Sequence, residues 1–389
     1  MIYRRSSAAL ALVVAAALFT PTHGLANNKL LIQKVRPTKR RANSKKSHVL
    51  RNPVILMHGF NASPDSDWGF SDEMVNHFKS RLGADRVFVL QVAPYASAEN
   101  RGKEATKKIE AILKKTGAKT FHMIGHSEGG KDGVYATSPK GGKLEPAYVA
   151  TIETPHAGTN ISNTILDVFS ETMGRKLVPK SNLSRKILKG VTQLMTLSLN
   201  DKAKYYPADM LAAHQSMRES APGDHNDFNE RFPLNSKTVY TSWAGLSNFL
   251  RIPNLFHDPA VANTAQHGKP LANPRWATPF SWFTSRHWMS PQLTAIAGIV
   301  AKGFHLKPND GVVPTESAKG PDGFIFRGTL KTDHMGAVGQ GRNGSKDAFT
   351  GFAATNFADT LINDMKLVEA GGRAKLIKEA KAWHETGQP

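Results

Sequence analysis

The sequence predicts an α/β fold, with a mostly parallel sheet, helices on both faces and an inserted helical cap or lid. From residue 53 onward, short apolar runs alternate with amphipathic stretches, a pattern typical of parallel strands joined by crossover helices. A single Gly-x-Ser-x-Gly motif lies at residues 125–129, between an apolar run and a helical stretch. Between residues 160 and 235 the alternation stops and helical patterns occur with little strand character, which indicates an insertion.

The individual elements follow from the apolar pattern in chain order. An apolar run at 54–57 ends in His58-Gly59-Phe60, and another at 121–124 leads into the Gly-x-Ser-x-Gly motif. Within a helix predicted at 101–115, the apolar positions Ile109, Ile112 and Leu113 share one face. The remaining predicted elements are a helix at 74–82 and strands at 87–92, 148–152 and 237–241.

The inserted segment contains one amphipathic stripe, formed by Leu183, Ile187, Val191, Leu194 and Met195. This spacing places the five side chains on one face of a helix. Periodicity alone fits a core-packing helix and a lid over an active site equally well, so both alternatives stay open.

The segment 1–26 has the pattern of a secretory signal peptide. Arg4 and Arg5 precede an apolar run at positions 8–19, and Gly24-Leu25-Ala26 supplies small residues for cleavage. A membrane anchor is the alternative, but the run is shorter than the roughly 20 residues that cross a bilayer. We therefore expect cleavage after Ala26 and a secreted protein, either extracellular or periplasmic.

The formal net charge is +20, and residues 27–52 contain many lysines and arginines without an acidic residue. This pattern predicts a mobile basic arm, either simply solubilising or attracted to anionic lipid. Nucleic-acid binding is disfavoured because no recognisable reader motif accompanies the charge. The absence of cysteine excludes disulfides, thiolate metal sites and a cysteine nucleophile. The main domain is predicted at 53–370 and a helical tail at 371–389.

Ser127 is the candidate nucleophile of the motif Gly125-His126-Ser127-Glu128-Gly129. In this motif the serine occupies a strained strand-to-helix turn, and the flanking glycines let strand and helix approach closely. Alone the pattern is weak, but here it follows an apolar strand and precedes a helix. Two backbone amides would stabilise an oxyanion at such a serine. We assign them to Glu128, which follows the nucleophile, and to Phe60, which follows the first strand.

An acid and a histidine follow the serine in proteins that carry this motif, in that order. Asp310 lies at a turn before an apolar pair, and His334 comes after it in the chain. Of the histidines, only His334 and His384 come after Asp310, and His384 lies in a charged terminal stretch. Asp333 is the rival acid, although adjacency to His334 usually directs the two side chains apart. Ser127, Asp310 and His334 are therefore the candidate catalytic residues.

Together these segments resemble the bacterial secreted triacylglycerol lipases of the Pseudomonas and Burkholderia type. The resemblance covers most of residues 53–365, with gaps. It rests on Pro53 to Phe60, Arg101-Gly102, Ile124 to Gly130, Thr154 to Gly158, Ser242 to Gly245, Asn309 to Val313, and His334 with Gln340. The resemblance implies an α/β-hydrolase fold, a mobile helical lid, long-chain ester substrates at a lipid–water interface and, often, a dedicated foldase chaperone.

The chain departs from this family at three places. Glu128 stands where the family usually has glutamine, and its charge would oppose an oxyanion unless the side chain turns away. Ser290 and Gly336 stand where the family has the two aspartates of a structural calcium site, which leaves Gln340 as a weak candidate ligand. The disulfide of many members is impossible without cysteine. We therefore expect no cofactor and doubt the calcium site.

The resemblance and the candidate residues predict a carboxylic ester hydrolase, a triacylglycerol lipase or carboxylesterase that forms an acyl-enzyme. An extracellular depolymerase of polyhydroxyalkanoate polyester is the closest alternative, because it uses the same machinery in a more open groove. A catalytically silent hydrolase-fold protein that binds lipid or a partner is the non-enzyme alternative. The complete set of candidate catalytic residues argues against it.

Overall fold

The computed structural model describes residues 50–60, 62, 69–160, 162, 219, 227–246, 265–266, 269–270, 309–330, 332–340 and 352–378. The predicted signal peptide, nearly all of the basic arm, most of the cap segment and residues 379–389 lie outside these ranges. Among the described residues, no helix has the length and apolar character that a membrane crossing requires.

Six parallel strands form the central sheet. They are β1 (Val54–Met57), β2 (Val87–Leu90), β3 (His122–His126), β4 (Tyr148–Ile152), β5 (Val239–Gly245) and, after a short antiparallel pair of β6 (Ala265–Gln266) and β7 (Lys269–Pro270), β8 (Ile325–Leu330). Their order in the sheet is β2-β1-β3-β4-β5-β8. The predicted parallel α/β sheet is confirmed.

Helices cover both faces of this sheet, as predicted. They are α1 (Asp72–Leu82), α2 (Ala98–Thr116), α3 (Gly129–Thr137), the short α4 (Phe228–Arg231) and α5 (Thr315–Ala318), and α6 (Ala354–Glu369). Val54 and Leu56 of β1 pack with α1 and α6, whereas Ile55 and Met57 pack with α2 and α3. This division follows from the alternation of side chains along a strand.

The helix starts differ from the sequence prediction by a few residues. The hydroxyl of Ser71 accepts a hydrogen bond from the amide of Met74 at 3.2 Å, so α1 begins at Asp72 instead of at residue 74. The hydroxyl of Ser97 does the same for Asn100 at 3.3 Å, so α2 begins at Ala98. Apolar spacing marks only the buried face of a helix, whereas these capping serines set its beginning.

Glu369, the last residue of α6, joins the C-terminal helix to the entrance of β1. Its carboxylate accepts hydrogen bonds from the amides of Arg51 at 2.9 Å and Asn52 at 3.0 Å and from Nε2 of His122 at 2.9 Å. Burial alone would raise the pKa of this carboxyl, but the three donors outweigh it and lower the pKa to about 2. The contact closes the domain by joining its first strand to its last described long helix.

Glu369→Gln is expected to lower the free energy of unfolding by about 2 kcal/mol at pH 7, the typical range for hydrogen bonds to a charged group. The folded-state pKa of about 2 lies below the ordinary 4.5. The stabilisation is therefore present above pH 4.5 and is lost as the pH falls towards 2. Urea unfolding of both proteins across this range measures the difference. Glu110→Gln, at an exposed position of α2, is the control, and a pH-independent deficit of Glu369→Gln would contradict this account.

Candidate active site

Ser127 occupies a strained turn between β3, which ends at His126, and α3, which begins at Gly129. Its φ angle is 55°, in the left-handed region that residues with a Cβ rarely adopt. Its amide donates to the carbonyl of Ile152 in β4 at 2.8 Å, which fixes the turn against the sheet. Such strain persists only where the surroundings enforce it and is frequent at functional sites.

The two glycines of the motif are required by close backbone approach. A Cβ at Gly125 would lie 2.3 Å from the carbonyl oxygen of Gly129, and a Cβ at Gly129 would lie 2.5 Å from the carbonyl oxygen of Met57. No side chain fits at either position unless the backbone shifts. The motif is therefore explained by the packing of β3, α3 and the end of β1 around Ser127.

Asp310 and His334 are in direct side-chain contact. Nδ1 of His334 lies 2.8 Å from Oδ2 of Asp310. The other carboxylate oxygen, Oδ1, accepts the amides of Val312 at 2.7 Å and Val313 at 2.6 Å. The amide of His334 also donates to the carbonyl of Asp310 at 2.9 Å. Both the ring and the backbone of the histidine are thus held by the same aspartate.

Asp333, the rival acid, is engaged elsewhere. Its Oδ1 accepts the amides of Met335 at 3.2 Å and Gly336 at 2.9 Å, which caps the turn after His334. Asp310 is therefore the aspartate in contact with the imidazole ring. His384, the other histidine after Asp310, lies outside the described residues.

His126 links Ser127 to the histidine loop. Its Nε2 lies 2.9 Å from the carbonyl oxygen of His334, and the centroids of the two rings are 4.6 Å apart. Because the carbonyl can only accept, the proton of His126 is on Nε2. Burial, followed by the charge of a protonated His334, lowers the pKa of His126 well below its ordinary value. His126, the residue that precedes Ser127, therefore contacts His334 through a neutral ring.

The loop after β1 approaches Ser127 closely. A Cβ at Gly59 would lie 2.6 Å from Cβ of Ser127, so only glycine fits there without displacement. The ring of His58 is buried, and its Nε2 accepts the amide of Val92 at 3.2 Å. Its Nδ1 therefore carries the proton, which it donates to the carbonyl of Gly59 at 2.9 Å. Burial and the charge of Arg101 lower the pKa of His58 to about 3, which keeps the ring neutral.

Arg101, at the start of α2, holds this loop from the opposite side. Its fully buried guanidinium donates to the carbonyls of His58 at 2.7 Å and Gly59 at 3.3 Å and to both carboxylate oxygens of Asp132 in α3. In a trans peptide the N–H points opposite to the preceding carbonyl. The amide of Phe60 is therefore directed away from Arg101, as a donor to an oxyanion requires.

The side chain of Glu128 lies beside two buried cations, Arg101 and Lys131. It is buried, and Oε2 lies 4.0 Å from Nε of Arg101. The carboxylate also raises the pKa of Lys131 in α3, although burial dominates and holds that pKa at about 8. The charge of Glu128 is thus turned towards buried cations, while its backbone amide remains at the position after Ser127.

Sequence reasoning missed three buried charged residues of this region: Lys131, Asp132 and Glu153. The side chains of all three are fully buried. Asp132 and Lys131 follow the motif within α3, where their charge resembled an ordinary helix surface. Glu153 directly follows β4, and a charged residue at the end of an entirely buried strand was the signal that could have identified it.

Of the two positions where the family has calcium-binding aspartates, Gly336 is the one that the structure describes. A Cβ at Gly336 would lie 2.0 Å from Oγ1 of Thr332, so an aspartate could not be accommodated there without rearrangement. Gln340 is described and half-buried, and Ser290 lies outside the described residues. One ligand atom each from His126, Glu153 and His334 lies within 4.8 Å of the others. However, Nδ1 of His334 already contacts Asp310.

The chain is similar to bacterial triacylglycerol lipases. It is 27% identical over 220 residues to one from Vibrio cholerae serotype O1, over 52% of this chain and 65% of that lipase. It is 26% identical over 197 residues to one from Burkholderia plantarii, over 44% of this chain and 52% of that lipase. The match thus spans about half to two thirds of these curated relatives. The resemblance found in the sequence is confirmed.

No family model matches the chain. The solved structure of a mature lipase from Bacillus licheniformis aligns over 78% of this chain and 90% of the lipase chain. The sequence identity is 15% and the TM-score is 0.44. The fold assignment therefore rests on the six-stranded sheet of this chain itself.

Arg101→Met is expected to lower the free energy of unfolding by about 3–5 kcal/mol, because it leaves the Asp132 carboxylate buried without its partner. Chemical unfolding with circular dichroism measures this loss. Arg81→Met removes an exposed guanidinium that bonds Asp359 and should cost less than about 1 kcal/mol. Adding Asp132→Asn to Arg101→Met should recover part of the loss. Equal effects of the Arg101 and Arg81 variants would disprove the structural role of Arg101.

Chelation by EDTA is expected to leave the melting temperature unchanged, because Gly336 offers no carboxylate and no space for one. Differential scanning fluorimetry with EDTA, and then with excess Ca²⁺, measures this directly. A protein that binds calcium in the folded state only would melt at higher temperature with Ca²⁺ present. A calcium-dependent rise in the melting temperature would therefore show that another ligand set holds the ion.

Proposed function

We propose that the chain is a serine ester hydrolase, a triacylglycerol lipase or carboxylesterase, that acts through an acyl-enzyme on Ser127. The single observation that carries the proposal is the contact of His334 with Asp310. His334 also contacts His126, which directly precedes the serine on a strained strand-to-helix turn. A histidine whose Nδ1 is held by a carboxylate exposes Nε2 as a base of fixed direction. The sequence similarity to triacylglycerol lipases supports the same reaction class.

In this mechanism, Oγ of Ser127 attacks the ester carbonyl carbon while Nε2 of His334 accepts its proton. The tetrahedral intermediate then collapses, the carbon–oxygen bond to the alcohol breaks, and His334 donates the proton to the leaving oxygen. Water repeats the sequence on the acyl-enzyme and releases the carboxylic acid. Asp310 keeps the imidazole in the required tautomer and stabilises the imidazolium.

The amides of Phe60 and Glu128 would stabilise the developing oxyanion. The turn at Ser127 supplies Glu128 by construction, and the hydrogen bonds of Arg101 and His58 to the Gly59 carbonyl orient Phe60. Donors fixed before the reaction need no reorganisation when the charge develops, and removing one typically costs a factor of about 10²–10³ in rate.

We extend this proposal to the substrate and to the cellular location of the protein. The relatives' name favours ester or lipid substrates, met at a lipid–water interface. The cap predicted at residues 160–235 lies mostly outside the described residues. The pattern of the segment 1–26 supports secretion. The family resemblance further favours assistance by a dedicated foldase chaperone. Hydrolysis of emulsified triglyceride in preference to polyester film would support the lipase interpretation over the depolymerase.

Ser127→Ala is expected to abolish hydrolysis of p-nitrophenyl esters, with a loss of about 10⁶-fold in kcat by comparison with other serine hydrolases. The control is Ser80→Ala, which removes an exposed hydroxyl from α1 and should keep full activity. A fluorophosphonate probe should label the wild-type protein and the Ser80 variant but not Ser127→Ala. Equally slow hydrolysis by wild type and Ser127→Ala would reject the enzymatic interpretation in favour of a silent binding protein.

A further inference from the structure

A second carboxyl group, that of Glu153, lies beside the histidine of the site. Oε2 of Glu153 is 3.5 Å from Nδ1 of His334 and 3.4 Å from Nε2 of His126. Each nitrogen makes its shorter contact elsewhere, with Asp310 and with the carbonyl of His334 respectively. The carboxyl group of Glu153 therefore lies next to two N–H groups that both belong to the candidate site.

The backbone conformation at Glu153 directs its side chain towards His126 and His334. The residue directly follows β4 and has a φ angle of 53°, a strained conformation for a residue with a side chain. Its amide donates to the carbonyl of Trp243 in β5 at 2.8 Å. A Cβ at Gly245 would lie 2.0 Å from Oε1 of Glu153. The carboxyl group thus occupies the space that the missing side chain of Gly245 leaves open.

The charge state of Glu153 follows from its surroundings. The side chain is fully buried, and neither carboxyl oxygen makes a hydrogen bond with the described residues. Burial, then the carboxylates of Asp310 and Asp333, raise its pKa well above the ordinary value. Among the described residues, the titratable groups that face it are Asp310, Asp333, His126 and His334. The surroundings of Glu153 therefore favour its protonated form, while the carboxyl group of Asp310 contacts the imidazole.

We propose that Glu153 is a positioning residue and a second acid of this site, able to hold the imidazole of His334 when Asp310 is lost. The inference rests on the proposed function. Removal of Asp310 removes the charged group that opposes ionisation of Glu153 most strongly. The ionised carboxylate can then accept the hydrogen of Nδ1 of His334 in place of Asp310. A bond at 2.8 Å would require a movement of less than one ångström from the present 3.5 Å.

Activity of four proteins tests this role. Asp310→Ala is expected to keep about 1% of the wild-type kcat/KM, whereas loss of the acid in a triad without a substitute costs about 10⁴-fold. Asp310→Ala/Glu153→Gln should fall about 100-fold further, and Glu153→Gln alone should lose only a few-fold. Glu145→Gln, which removes an exposed carboxylate paired with Lys237, is the matched control in the Asp310→Ala background and should change nothing.

The pH profile separates positioning from mere packing. The ratio of kcat/KM in Asp310→Ala to kcat/KM in Asp310→Ala/Glu153→Gln should rise with pH. The base His334 must lose its proton in both proteins, whereas only the single variant has a Glu153 carboxyl group that can ionise and orient His334. Thermal melts check that each variant is folded, and if Glu153→Gln does not fold, Asp310→Ala/Glu153→Met replaces the double variant. Equal residual activity of the single and double Asp310 variants, or a ratio that does not change with pH, overturns the proposal.

A readout independent of catalysis keeps this proposal distinct from the proposed function. NMR titration of the His334 ring should give a higher pKa in Asp310→Ala than in the double variant, because an ionised Glu153 favours the imidazolium form. This difference is expected even if no ester is hydrolysed. Failure of wild-type turnover would reject the hydrolase function, and identical His334 titrations would reject the role of Glu153.

Discussion

The buried guanidinium group of Arg101 connects the loop after β1 with α3, and both carry parts of the candidate site. Arg101, in the first turn of α2, binds the carbonyls of the loop after β1 and forms two hydrogen bonds with Asp132 in α3. A planar cation with several donors in a fixed arrangement can satisfy these acceptors together, and a lysine could not. The same group lies near the Glu128 carboxylate and leaves the Phe60 amide directed away from it. The turn at Ser127 and the loop after β1 are therefore held by the same buried cation.

Much of the fold and of the site could be predicted from local patterns. The strands at 54–57 and 148–152 follow from continuous apolar runs, and Gly125 and Gly129 mark a turn that tolerates no side chain. The helix starts were misplaced because Ser71 and Ser97 act through hydrogen bonds that periodicity does not record. Glu153 was missed because its partners come from three other segments. A contact between the end of β4 and the two loops that carry Asp310 and His334 has no signature within any single stretch of sequence.

The site also shows how buried charge is tolerated in the part of the domain that the structure describes. Arg101 and Asp132 compensate each other, and His58 and His126 are neutral rings with defined tautomers. Burial favours the protonated form of Glu153, which avoids the free-energy cost of an unpaired buried charge. Since an ionised group in a dry interior is unfavourable without a partner, the protonation states of these residues are part of the architecture. Their arrangement leaves the Asp310 carboxylate as the negative charge that contacts His334.

The contact of Glu369 with Arg51 and Asn52 has a consequence for how the chain acquires its structure. The amides of Arg51 and Asn52, which precede β1, can bond the Glu369 carboxylate only after the chain has been synthesised as far as α6. Pairings over such sequence separation slow folding, because the intervening chain must be ordered first. These two amides therefore remain without this acceptor until α6 has formed. The final fixation of the first strand depends on the C-terminal helix.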